Sequence, residues 1–101
     1  MSIKTEISAN TARISIHAPR LDMASSDEFR IAYKEIIGKA QTYIIDLKEV
    51  TFLDSSAIGI FLLFSEELGH NHNIELHNAC PTVIDILDIS GLDRLFKVTP
   101  L

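Results

Sequence analysis

One stretch, Tyr43 to Leu68 (YIIDLKEVTFLDSSAIGIFLLFSEEL), constrains the fold of this chain more than any other. It begins with the apolar segment Tyr43–Leu47, which predicts a buried strand, and turns at 48–50 into a second extended segment, Thr51–Leu53. From Ser56 to Leu68 the residues are apolar on nearly every side of a helix, which predicts a helix that is covered widely. The stretch therefore predicts a strand, a turn, another extended segment and a helix in close succession.

Three small polar residues, Asp54, Ser55 and Ser56, separate the two apolar runs. Their position predicts that they lie where the chain passes into the helix. Asp and Ser are favoured there because their side-chain oxygens accept hydrogen bonds from the unpaired N–H groups of the first helical turn. Two interpretations stay open at this point. The three residues are a plain helix cap, or one serine is presented for chemistry at the positive end of the helix.

The rest of the chain alternates between strand-like and helix-like patterns. Alternating apolar residues over 3–9 and 12–17, on either side of a turn at Asn10, predict an antiparallel hairpin. A loop is predicted at 18–22, and a capping box at Ser25–Glu28 predicts the start of a helix. The order continues with a strand at 74–79, a helix from Pro81 to just before Gly91, a helical turn at 92–96 and a short strand at 97–99.

This order predicts one α/β domain that fills residues 1–101. Helices that lie between strands act as crossovers, so a largely parallel sheet is expected, opened by the antiparallel hairpin. The uninterrupted apolar character of Tyr43–Leu47 predicts a central strand that is covered on both faces. A hydrophobic content of 47% in 101 residues is sufficient for one core, and no repeat or linker divides the chain.

Composition restricts the function classes. The net charge is −5 and the basic residues are scattered singly, which argues against binding of nucleic acid or of an anionic membrane surface. The longest uninterrupted apolar run, Ala57–Phe64, is far shorter than the roughly 18–20 residues that span a bilayer. The first residues do not resemble a signal peptide, and the single cysteine, Cys80, cannot form an internal disulfide. We therefore expect a cytoplasmic protein.

A small serine hydrolase is the enzymatic alternative, with Ser55 or Ser56 as the nucleophile. The flanking residues do not form a Gly-x-Ser-x-Gly elbow, and His17 has no evident acid partner in the sequence. Three of the four histidines fall beyond the far end of the predicted helix. A helix of about 13 residues separates its ends by roughly 20 Å. A catalytic triad is therefore not expected.

A metal site is the second chemical alternative. His70, His72 and His77, together with Glu75, form a grouping of possible ligands. Metal ligands must converge from a held framework, whereas His70 and His72 belong to a predicted solvated turn and His77 to a strand. We expect no metal. No glycine-rich phosphate loop is present, so no nucleotide cofactor is expected either.

Two segments resemble the signature of the STAS domain family, and most closely its single-domain bacterial anti-sigma factor antagonists. The first runs from Asp46 to Gly59 and contains Asp-Ser-Ser, and the second runs from Pro81 to Leu92 and ends in Ser-Gly-Leu. Leu21-Asp22 is a weaker match. Two departures concern Ala57, where the family often has glycine, and Pro19-Arg20, where the family usually has Gly-Glu or Gly-Arg.

The resemblance implies a STAS fold and an interaction module rather than an enzyme. It implies that Ser55 is phosphorylated by a GHKL-type serine kinase, which is itself an anti-sigma factor or a related switch protein. A PPM-type serine phosphatase would remove the phosphate, and only the unmodified chain would bind the kinase. The residues expected in the partner's footprint are Asp22, Asp54, Ser56, Ile58 and Gly59. A STAS subunit without a phospho-switch, for example in a lipid-transport ATPase complex, remains the alternative within the family.

Overall fold

The computed structural model describes residues 2–101. Its elements, in chain order, are β1 (Ile3–Ser8), β2 (Thr11–Ile16), β3 (Arg20–Leu21), α1 (Met23–Ile36), β4 (Thr42–Asp46), β5 (Phe52–Leu53), α2 (Ser55–Leu68), β6 (Asn73–Ala79), α3 (Pro81–Ser90), a turn of 3-10 helix (Leu92–Arg94) and β7 (Lys97–Pro100). The main sheet has the order β1-β2-β4-β6-β7. Strand β1 is antiparallel to β2, and the other neighbours are parallel. The predicted α/β fold, with a mostly parallel sheet and an N-terminal hairpin, is confirmed.

The helices bury one face of the main sheet. Strand β4 is central, as predicted, but the expectation that it is covered on both faces is wrong. Tyr43 and Ile45 are buried, whereas Ile44, which points the other way, is only half-buried. Its register partners on the neighbouring strands are charged, Arg13 on β2 and Glu75 on β6. A run of apolar residues in one strand is therefore not enough to predict that both faces of the sheet are covered, because the neighbouring strands can place charged residues on one of those faces.

An aromatic cluster holds α1 and α2 side by side. The ring of Phe64 lies against those of Phe29, Tyr33 and Tyr43, with centroids 6.0, 4.7 and 5.7 Å apart. Phe29 also contacts Phe61 at 5.3 Å. Because Phe29 faces Phe61 and Tyr33 faces Phe64, the two helices run in the same direction. Both helices therefore begin at one end of the molecule and finish at the other end.

The start of α1 differs from the prediction. The capping box predicted Ser25 as the N-cap, but the helix begins at Met23 and Asp22 is its N-cap. Glu28, the other residue of the predicted box, instead accepts hydrogen bonds from the backbone N–H and hydroxyl of Ser2 at 3.0 and 3.2 Å. Asp22 is an equally good cap, and it follows a strand that the sequence did not reveal, so the helix begins earlier.

None of the helices within residues 2–101 is long and apolar enough to cross a membrane.

Candidate functional site

Two short strands, β3 and β5, form a second, parallel sheet that positions the candidate site. Arg20 pairs with Phe52, and the guanidinium of Arg20 lies 4.5 Å from the centre of the Phe52 ring. Pro19 has no N–H to donate, but its carbonyl accepts hydrogen bonds from the backbone N–H groups of Thr51 and Phe52 at 2.7 and 3.2 Å. The segment 18–22, predicted as a loop, therefore contains a strand that is paired with the start of the Asp-Ser-Ser region.

The same pairing brings Asp22 and Asp54 together. Leu21 lies opposite Leu53 at the carboxyl ends of β3 and β5, and both leucines are buried. Asp22 and Asp54 are the next residues, and the backbone N–H of Asp54 donates to the carbonyl of Leu21 at 3.3 Å. The two carboxylates, which are 32 residues apart in the sequence, therefore lie on neighbouring chain segments.

Each aspartate caps the helix that it precedes. The Asp54 Oδ1 atom accepts a hydrogen bond from the backbone N–H of Ala57 at 3.1 Å, and Asp22 Oδ1 accepts one from Ser25 at 3.2 Å. Helix α2 begins at Ser55, one residue before the predicted start. The alanine at 57 leaves the helix start intact, as predicted. The cap interpretation therefore holds for Asp54, and it leaves the hydroxyl of Ser55 without a capping role.

We expect Asp54→Ala to lower the free energy of unfolding by about 0.5–2 kcal/mol, because the N–H of Ala57 loses its partner. Urea denaturation measures the change. Asp54→Asn keeps an acceptor oxygen at the same place and serves as the control, since it is expected to retain most of the stability. An equal loss in both variants would show that the carboxylate charge, rather than the cap, stabilises this end of α2.

Exposure distinguishes the two serines. Ser55 is exposed and Ser56 is half-buried. From Ser55, an exposed stripe follows the helical spacing along α2 through Gly59 and Leu62, with the half-buried Ile58 at its edge. Leu62 is 36% exposed, although it belongs to an otherwise apolar helix. A serine hydroxyl and an apolar strip therefore share one continuous surface.

Gly59 lies in the middle of this stripe. A glycine inside a helix costs roughly 1 kcal/mol relative to alanine. Packing does not require it here, because a Cβ atom added to Gly59 meets nothing within 4 Å. The glycine therefore flattens the surface of α2 close to Ser55 and is not needed to fit the core.

The structure brings the predicted site residues to one end of the molecule, and it adds two features that sequence reasoning missed. Met23, the first residue of α1, is 74% exposed directly after Asp22. The stacked pair Arg20–Phe52 lies just before the two caps. The only signal for Met23 in the sequence is a large apolar residue directly after an N-cap. Nothing in the sequence indicated the stacking, because it depends on the pairing of β3 with β5.

The histidines do not surround the serines. His17 has a carboxylate partner that the sequence did not reveal, since its Nδ1 atom lies 2.6 Å from Glu49 Oε2. Within the part of the chain that the structure describes, no histidine hydrogen-bonds to Ser55 or Ser56. His77 pairs with Glu75 at 2.8 Å, and no group of three His, Cys, Asp or Glu side chains among residues 2–101 is placed to hold a metal ion.

Comparison with known proteins identifies relatives over nearly the whole chain. The family model for the STAS domain matches residues 2–100. A STAS-domain containing protein of Pseudomonas aeruginosa (strain UCBPP-PA14) is 37% identical over 101 residues, which cover 98% of this chain and 100% of that protein. The anti-sigma-B factor antagonist of Bacillus subtilis (strain 168) is 24% identical, with coverage of 98% and 93%.

Solved structures share the architecture. An anti-sigma factor antagonist from Mycobacterium paratuberculosis has the same fold, with a TM-score of 0.86 at 22% identity and coverage of 98% and 85%. The anti-sigma factor antagonist SpoIIAA in its unphosphorylated form matches with a TM-score of 0.80 at 25% identity, and the match covers 95% of this chain and 86% of that chain. The phosphorylated form of SpoIIAA from Bacillus matches with a TM-score of 0.72 at 25% identity, and the match covers 95% of this chain and 89% of that chain. On the match over residues 2–100 and the 37% identical relative, this chain belongs to the STAS domain family.

Proposed function

We propose that this chain is an anti-sigma factor antagonist whose partner binding is switched by phosphorylation of Ser55. The observation that carries the proposal is the exposed Ser55 hydroxyl at the first position of α2, beside the capping carboxylates of Asp54 and Asp22. The names of its relatives support it, since one is an anti-sigma-B factor antagonist and SpoIIAA is described both without and with its phosphate. The partners are a GHKL-type serine kinase of the anti-sigma class and a PPM-type serine phosphatase, in the cytoplasm.

The switch follows from charge. A phosphoserine carries about −1.5 to −2 charges at neutral pH. The N-terminal end of α2 tolerates this charge, because the helix dipole and the free N–H groups there favour anions. The partner fits the unmodified surface, which has a neutral hydroxyl beside two carboxylates. After phosphorylation the same surface is strongly negative. The fold therefore survives the modification, while the surface formed by Ser55, Ile58 and Gly59 no longer accepts the partner.

Incubation with ATP and a purified GHKL-type serine kinase of the anti-sigma class, followed by phosphopeptide mapping, tests this proposal. We expect the phosphate on Ser55 and not on Ser56, because Ser55 is exposed and Ser56 is half-buried in the first helical turn. Ser55→Ala should abolish incorporation, and Ser56→Ala should retain it. Phosphate found only on Ser56 would overturn the assignment. A chain that takes up no phosphate would favour the alternative of a STAS subunit without a switch.

Arg20 is expected to strengthen partner binding. A protein interface of ordinary size covers roughly 800 Å² per partner, a patch about 30 Å across. Ser55 is three residues from Phe52, at most about 11 Å along the chain, so a patch centred on Ser55 includes the Arg20–Phe52 pair. Arginines that are held in place near the centre of an interface are common energetic hot spots.

We expect Arg20→Ala to weaken kinase binding by about tenfold or more. The loss of the stacked contact with Phe52 should lower the free energy of unfolding by only about 0.5–1 kcal/mol, so the variant stays folded. Isothermal titration calorimetry against the kinase measures the affinity. Arg94→Ala is the matched control, because Arg94 is also exposed but follows the C-terminal end of α3. If both variants bind as the parent does, Arg20 lies outside the footprint.

A further inference from the structure

The two edges of the main sheet differ in how well they are protected from pairing with another strand. One edge is β7, which has four residues, ends in Pro100 and pairs with β6 through a shift of register. Proline and an irregular register both discourage further pairing at an edge. The other edge is β1, which has six residues, contains no proline and keeps one register along β2. Among residues 2–101, β2 is the one strand that pairs with β1, so β1 presents a regular open edge.

The backbone of every second residue of β1 points away from β2. The carbonyl of Ser2 accepts a hydrogen bond from the N–H of His17, so Ser2 and the other even-numbered residues of this segment face β2. The N–H and C=O groups of one residue lie on the same side of a strand, and the side alternates from one residue to the next. The outward-facing groups of β1 are therefore those of Ile3, Thr5 and Ile7.

Helix α1 leaves part of β1 uncovered. The side chains of Ile3, Thr5 and Ile7 lie on the helix side of the sheet, where Ile3 is 6% exposed, Thr5 is half-buried and Ile7 is 45% exposed. Their register partners on β2 at the same levels, Ile14 and Ala12, are fully buried. The second half of β1 is therefore open to a neighbour, and it places a large apolar side chain there.

We propose that β1 pairs with β1 of a second copy of this chain, antiparallel, about a two-fold axis that passes through Thr5. In this register Thr5 lies opposite Thr5 of the second copy, and Ile3 lies opposite Ile7 of the second copy. Three opposed pairs that exchange two backbone hydrogen bonds each give about six bonds. The exposed Ile7 is covered by Ile3 of the second copy, and the two main sheets become one continuous sheet.

The charges on the open face of the sheet select this register. Lys4 lies opposite Glu6 of the second copy, and the symmetry repeats this pair, so two cross-strand pairs of opposite charge form. An axis through Lys4 or through Glu6 would instead place like charges opposite each other. An axis between two residues would bring side chains of opposite faces together. A lone lysine discourages pairing at an edge, but Glu6 follows Lys4 at the spacing that makes the edge complementary to itself.

The dimer is weak and separate from the proposed switch. One pair of strands buries less than the roughly 800 Å² per partner of an ordinary stable interface, so assembly depends on concentration. Strand β1 contains none of the residues of the Ser55 surface, so the pairing does not rest on phosphorylation.

Sedimentation velocity of the full chain, from about 10 μM to about 1 mM, tests the proposal. We expect the dimer to increase with concentration. Lys4→Glu and Glu6→Lys should each weaken dimerisation by about tenfold or more, because each change turns both charge pairs into like-charge pairs. An equimolar mixture of these two variants should dimerise again, since every pair across the axis then has opposite charges. The mixture is the matched control, because it contains the same two substitutions.

Hydrogen exchange measured by NMR gives the local evidence. The amides of Ile3, Thr5 and Ile7 should exchange more slowly as the protein concentration rises, whereas those of Lys4 and Glu6, which already face β2, should change little. Thr5→Pro removes one outward-facing N–H and leaves the bonds to β2 in place, so it should fold and should not dimerise.

Three results would overturn the proposal. The folded chain sediments as a monomer up to about 1 mM, Thr5→Pro dimerises as the parent does, or the mixture of Lys4→Glu and Glu6→Lys dimerises no better than either variant alone. If Thr5→Pro does not fold, the mixture and the exchange rates of the parent decide.

Discussion

Ser55→Asp is expected to abolish kinase binding, whereas Ser55→Ala is expected to bind the kinase constitutively, although both variants fold. A carboxylate at a helix N-terminus is favourable by roughly 0.3–1 kcal/mol, so Ser55→Asp should melt no lower than the parent. Ser55→Ala should lose little stability, because the cap of α2 belongs to Asp54. An unpaired charge in an interface costs about 2–5 kcal/mol, which is a loss of at least about thirtyfold in affinity.

Calorimetric titration of the kinase with each variant, together with thermal melts, measures the effect. Ser8→Asp is the control for net charge, because it adds the same charge at an exposed position at the end of β1. It should bind as the parent does. Equal kinase binding by folded Ser55→Ala and Ser55→Asp would rule out electrostatic gating at this serine.

Phe64→Ala is expected to have the largest effect on stability, a loss of about 3–5 kcal/mol. The Phe64 ring is fully buried and touches the rings of Phe29, Tyr33 and Tyr43, so truncation leaves a cavity between α1, α2 and β4. Small domains are stable by only about 5–15 kcal/mol, so the variant should be close to unfolding at physiological temperature.

Urea denaturation provides the measurement. Leu62→Ala is the matched control, since it lies two residues earlier in the same helix and is 36% exposed. It should cost less than about 1 kcal/mol, because surface substitutions are usually small in effect. If the two variants lose the same stability, the aromatic cluster is not the principal contact between α1 and α2.

Local pattern was sufficient to predict the longer elements, because alternation and helical spacing reflect which residues are buried. It was insufficient where two local signals competed. Asp22 and Ser25 are both good N-caps, and only the pairing of Leu21 with Leu53 decides that α1 starts after Asp22. Strands β3 and β5 have two residues each, which is too short for any alternation to be visible.

The candidate site, too, has features that the sequence pattern predicts and features that depend on tertiary contacts. The position of Ser55 at the start of α2 follows from the sequence, because Asp-Ser-Ser separates two apolar runs. The approach of Asp22 to Asp54 depends on a register between segments that are 32 residues apart, and so does the contact of His17 with Glu49. The exposure of Met23 and the burial of the His72 nitrogen depend on how the helices pack, which no local pattern encodes.

The hydrogen bond between the Ala57 N–H and Asp54 also bears on how long the proposed modified state lasts. The aspartate already occupies this donor, so the proposed phosphate on Ser55 has one fewer backbone N–H to bind and would be held less tightly against the helix. A phosphate held tightly against the helix would be released only as fast as the helix end opened. A phosphate that is held less tightly is more open to attack at each encounter with a phosphatase. The supply of phosphatase, rather than the opening of α2, would then set how quickly the unmodified chain is regenerated.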